Sequence, residues 1–134
     1  MLHFQIDPHS GVPVYRQLMD QVKYYAASGV LREGHQLPSI RELARALSVN
    51  PTTIVKAYSE LEHEGVIEMR QGKGAFVARP DAGMTDARRR EALRRLARQI
   101  AVEAMQMGAS DDLALQVVRE ELEKMEEGKA QKQR

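Results

Sequence analysis

Residues 37–77 are punctuated by capping and turn residues so closely that few folds remain open to them: LPSIRELARALSVNPTTIVKAYSELEHEGVIEMRQGKGAFV. Ser39 can accept hydrogen bonds from the unpaired amides at a helix start, and Glu42 three residues later completes a capping box. Ile40, Leu43, Ala44 and Leu47 then fall on one face of that helix. Ser48 and Val49 make a turn, after which Asn50 caps a second helix with Pro51 at its first position. A missing N–H costs nothing there. Ile54, Ala57, Tyr58 and Leu61 form the inner face, and Gly65 marks the stop. The remaining face carries Thr52, Thr53, Val55, Lys56 and Ser59, a short polar surface of the kind that enters a major groove.

Apolar residues at Val66–Met69 and Ala75–Ala78 predict two strands. Arg70, Gln71, Gly72, Lys73 and Gly74 form a flexible basic turn between them. Upstream, Phe4 and Ile6 alternate with polar neighbours in an extended arm closed by the turn residues Asp7–Gly11. A supporting helix is expected from Pro13 to about Ser28, with Val14, Leu18, Val22, Tyr25 and Ala26 on its inner face. Gly29 ends it, and a brief strand follows at Gln36-Leu37. Helix, helix-turn-helix and hairpin in this order predict a winged helix.

Beyond a linker at 80–85, the pattern changes to two amphipathic helices. Leu93, Leu96, Ile100, Ala104 and Met107 stripe the first, which Gly108 ends; Leu115, Val118 and Leu122 stripe the second, which Gly128 is expected to end. The fold expected is thus mainly α with a small β-hairpin. A winged helix-turn-helix occupies 1–79, a helical hairpin for dimerisation occupies 86–128, and 129–134 form a disordered tail. Two helices of this size bury too little apolar surface to stand alone, so the stripes named above are assigned to a homodimer interface.

Charge is segregated rather than abundant. The net value is only +1, yet residues 86–98 carry +4 and residues 103–127 carry −6. Arginines 88–90 would by themselves suggest a nucleic-acid patch. The acidic stretch makes pairing, within the chain or across a dimer, the expectation. The chain has no cysteine, which excludes disulfides and thiolate metal sites and fits a reducing cytoplasm. No run of about 18 apolar residues is present to span a membrane, and the first residues lack the order of a signal peptide. His3, His9, His35 and His63 have no ligand-spaced partners, so no metal and no cofactor are expected. No nucleophile–base pair or phosphate loop is evident, which argues against an enzyme.

The 37–77 stretch, together with PVYRQLMDQVKYYAASGVLREGHQLPS before it, closely resembles the DNA-binding domain of GntR-family bacterial transcription regulators. The small helical C-terminus and the NPTTIVKAY form of the second motif helix resemble the YtrA subfamily. That resemblance implies a dimeric repressor of a transporter-type operon, bound to a pseudo-palindromic site in double-stranded DNA. It assigns DNA contacts to Arg41, to Thr52 and Thr53, and to Lys73 between Gly72 and Gly74. Arg45, Lys56 and Arg70 join them as exposed cations beside the motif. Pro51 and Val55 stand where better-known members have arginines, so the base preference must differ. Two other uses of the same chain are a winged helix that binds protein only, and a sensor holding a small-molecule effector between its last helices.

Overall fold

The computed structural model describes residues 2–79 and 85–132; most of the expected linker, residues 80–84, lies outside them. Five helices and one hairpin follow in order: α1 (Val14–Ala27), α2 (Ile40–Leu47), α3 (Pro51–His63), β1 (Ile67–Arg70), β2 (Gly74–Val77), α4 (Asp86–Gln106) and α5 (Asp111–Lys132). The capping box of α2 is present, with Ser39 Oγ accepting from the Glu42 amide at 3.0 Å and the Glu42 carboxylate accepting from the Ser39 amide. Ser48 takes a left-handed conformation (φ 54°) to turn the chain sharply into α3.

The core lies where α1 crosses α3. Leu18 and Val22 are fully buried as expected, but Met19 replaces Val14, Tyr25 and Ala26, which are only half-buried. Ile54, Ala57, Tyr58 and Leu61 complete the contact from α3. Ile67, Ala75 and Val77 extend it from the hairpin, whose strands begin one residue away from the expected positions. The brief strand expected at Gln36-Leu37 is reduced to one bridge between Gln36 and Phe76, extended by a 2.8 Å bond from the Leu37 amide to the Ala75 carbonyl. Phe4 closes the far side of the core, edge-on to Tyr25 with ring centroids 5.7 Å apart. Among the described residues the N-terminal arm has no partner strand. The side-chain amides of Gln21 and Gln17 take that role, each both donating to and accepting from the backbone, at Gln5 and Asp7 respectively.

The C-terminal helices differ from expectation in one way and narrow it in another, since pairing was expected within the chain or across a dimer. First, α5 does not stop at Gly128; it continues to Lys132, so residues 129–132 of the expected tail are helical. Second, the arginines of α4 do not meet the glutamates of α5. Among the described residues Arg88, Arg90, Arg94, Arg95 and Arg98 form no ion pair, and the pairs Arg89–Asp86 and Lys124–Glu121 each lie within one helix. The reason is separation. Partial burial gathers around Ala104, Ala109 and Ala114 near the turn, and beyond it the helices stand apart around an open apolar groove of about 750 Å³. Leu93, Leu96, Ile100, Met107, Leu115, Val118 and Leu122 are all exposed, Leu93 and Leu115 by nearly two thirds (64% and 67%), while Ala104 is half-buried.

The α1–α3 crossing predicts a large cost for truncation at its centre. Ile54→Ala should lower stability by about 3 kcal/mol, read from the midpoint of urea unfolding at unchanged slope.

Candidate nucleic-acid interface

Because α3 buries Ile54, Ala57, Tyr58 and Leu61, helical geometry turns Thr52, Val55, Lys56 and Ser59 outward. All four are exposed, and Thr53 is half-buried beside them. Asn50 holds the start of this surface: its side-chain oxygen accepts from the Thr52 amide at 2.9 Å and from the Thr52 hydroxyl. The Thr52 hydroxyl proton is therefore engaged by the cap, and its oxygen keeps its acceptor capacity. Tyr58 locks the opposite side, donating to the Pro38 carbonyl at 2.7 Å and so tying the loop before α2 to α3. Burial, aided by the nearby Glu42 carboxylate, pushes its phenol well above the usual range, so it stays a neutral donor across physiological pH.

Lys56 is not a loose surface lysine. Its ammonium sits 4.3 Å from the ring centroid of Tyr15, on the first turn of α1. Tyr15, Thr52, Thr53, Val55, Lys56, Ser59 and Glu60 together line a shallow groove of about 470 Å³. Tyr15 went unnoticed in the sequence because 41 positions separate it from Lys56, and only the α1–α3 crossing brings them together. Arg41 and Arg45 lie exposed on α2, one turn apart.

The hairpin supplies a second basic point. Arg70 folds back along the strands, with its guanidinium 4.3 Å over the Phe76 ring and its Nε 3.6 Å from Glu68. Lys73 at the tip is exposed and has no ion pair among the described residues. The tip is held rather than loose: the Lys73 amide donates to the Arg70 carbonyl at 2.9 Å, and Gln36 donates to the Lys73 carbonyl at 2.8 Å. Gly72 and Gly74 have φ values of +74° and +114°, and a Cβ on Gly74 would lie 3.0 Å from the Gln36 amide nitrogen. Only glycine suits both requirements at position 74. Glu62 of α3 accepts from the Met69 amide at 2.9 Å, fixing the hairpin to the helix that carries the outward surface. Gln36 and Glu62 are the other residues that the sequence pattern did not single out.

The cap gives a direct stability test. Asn50→Ala should cost about 1 kcal/mol and raise amide exchange at Thr52 and Thr53, whereas Asn50→Asp should retain most of the stability.

Residues 14–77 match the model of bacterial regulatory proteins of the gntR family. Over 74 residues the chain is 46% identical to the HTH-type transcriptional repressor YtrA of Bacillus subtilis, a match that spans 55% of this chain and 57% of that protein. Among solved structures, a transcriptional antiterminator from Listeria monocytogenes superposes with a TM-score of 0.78 at 31% identity, over 89% of both chains. YtrA from Sulfolobus acidocaldarius, a GntR-family transcription factor, superposes with 0.54 at 34% identity, over 89% of this chain and 96% of the other. The DNA-binding domain of AraR in complex with operator ORX1 superposes with 0.52 at 28% identity, over 58% of this chain and all of the other. The chain belongs to the GntR family of bacterial regulatory proteins, and its winged helix is that family's DNA-binding domain.

Proposed function

We propose that this protein is a homodimeric transcriptional repressor that reads a pseudo-palindromic operator through the N-terminal half of α3. The observation that carries the reading is the outward surface of α3. Thr52, Val55, Lys56 and Ser59 face solvent from a helix whose other side is locked into the core. In the major groove Thr52, Thr53 and Lys56 would reach base edges, and the Val55 methyls suit the 5-methyl group of thymine. Arg41, Arg45, Arg70 and Lys73 would hold phosphates, with Gly72 and Gly74 letting the wing backbone approach the adjacent groove closely. The winged helix at 1–79 is the reading unit. The helices at 86–128 form the dimer, since their apolar stripes stay exposed among the described residues. Two-fold symmetry then requires half-sites about one helical turn apart. Repression, of a transporter-type operon in the cytoplasm, is the role we assign, and the repressor YtrA of Bacillus subtilis is the relative that supports repression.

Selection of bound sequences from a randomised duplex pool tests this directly. The expected product is an inverted repeat; a pool without one would leave the winged helix as a protein-binding module. Lys73→Ala should weaken binding to all sequences alike and reduce the salt slope by about one. Lys56→Ala should instead change the ranking of operator variants at one base position, by about 1–3 kcal/mol. Tyr15→Leu should flatten the same position and Tyr15→Phe preserve it, because the ring, not the hydroxyl, carries the Lys56 contact.

A chain ending at Arg79 should sediment as a monomer while the full chain is a dimer. A truncated dimer would remove the helical hairpin from the interface.

A further inference from the structure

Gly128 lies inside α5, with four helical residues after it, although glycine is a poor residue for a helix interior. Its surroundings account for it. A Cβ at this position would lie 2.6 Å from the Ser28 carbonyl oxygen, a distance that no real side chain tolerates, and 3.5 Å from Ser28 C and Cβ. The contact is reciprocal. A Cβ on Gly29, where φ is +83°, would lie 3.0 Å from the Lys129 Cα. Two glycines thus let the end of α5 rest backbone to backbone on the end of α1. Ser28 is the C-cap of α1 and is itself buried. Helix α1 packs directly on α3, and Lys23 of α1 pairs with Glu64 at the end of α3.

We propose that this glycine joint is a built-in clamp: it fixes the direction of α5 relative to the winged helix, and so sets the separation at which a dimer presents its two α3 helices. The inference rests on the dimeric DNA-binding reading for its functional consequence, but the joint is a property of the single chain. A covalent connection alone would let each reading head swivel and accept half-sites at several spacings. With the joint closed, α1, α3 and α5 move as one body, and a change in the packing of α4 and α5 is transmitted to the spacing of the heads.

Gly128→Ala separates the clamp from helix propensity, because the two predict opposite signs. Propensity alone makes alanine favourable in α5; the clamp makes its methyl collide with Ser28. In the full-length protein the amides of Ser28 and Leu31, bonded to Tyr24 and Tyr25 carbonyls, should exchange about tenfold faster in Gly128→Ala than in wild type. Glu127→Ala, on an exposed position of the same turn, should leave them unchanged. On operators whose half-sites are moved apart by single base pairs, the wild type should show one sharp optimum. Gly128→Ala should lose about tenfold at that optimum and flatten the series, with less than about twofold change on a single half-site. Unchanged or slower exchange at Ser28 and Leu31 would overturn the joint. An unchanged spacing profile, or equal loss on the single half-site, would overturn its role as a clamp. A wild type without spacing preference would remove the dimeric reading, leaving exchange to decide the joint.

Discussion

Everything that faces outward here depends on the crossing of α1 and α3. Burying Leu18, Met19 and Val22 against Ile54, Ala57 and Leu61 orients α3 about its own axis. A fully buried aliphatic side chain contributes about 1.5–3 kcal/mol, so this small crossing dominates a domain of its size. Rotating α3 by one residue would expose Ile54 and Leu61 and bury Val55, Ser59 and Glu62 in their place. The energetic penalty for that rotation is what makes the reading surface definite. The crossing also delivers Tyr15 to Lys56, so one packing event determines both which residues face outward and how one of them is held.

The rest of the winged helix consists of devices that carry this orientation to the hairpin. Tyr58 fastens the loop before α2, Glu62 fastens β1, and Gln36 fastens the tip beneath Lys73. Each replaces chain flexibility with a hydrogen bond of about 0.5–1.5 kcal/mol, modest alone but directed at a joint. The result is two cationic points, Lys56 and Lys73, held on one rigid frame rather than on loose side chains and a loose loop.

The tail follows the opposite strategy. Among the described residues, helices α4 and α5 bury almost nothing, and their apolar stripes stay exposed. The end of α5 approaches the winged helix through glycine, where no side chain intervenes. Open apolar arms are thus joined to the winged helix by a close-packed contact.

The local sequence was most legible where the physics is local. Ser39, Glu42, Asn50 and Pro51 announce their helices because capping acts within three or four residues, and the hairpin is visible in its glycines. The periodicity of Ile54, Ala57, Tyr58 and Leu61 likewise predicts the outward set on α3. What is missing from the pattern depends on distant neighbours. Met19 is buried, and Val14 half-exposed, because α3 crosses α1 where it does. Arg88–Arg98 and Glu120–Glu127 look like partners along the chain, yet the helices separate before they can meet. Gly128 carries the sharpest lesson. Along the sequence a glycine after a periodic helix reads as a stop, since its intrinsic cost is local. In three dimensions it is a point of contact, because the space beside it is already filled by the Ser28 carbonyl. The caps, the turns and the outward face of α3 are read from neighbours within a few residues, whereas what Lys56, Gln36 and Gly128 touch depends on packing across long separations, which leaves no periodic trace.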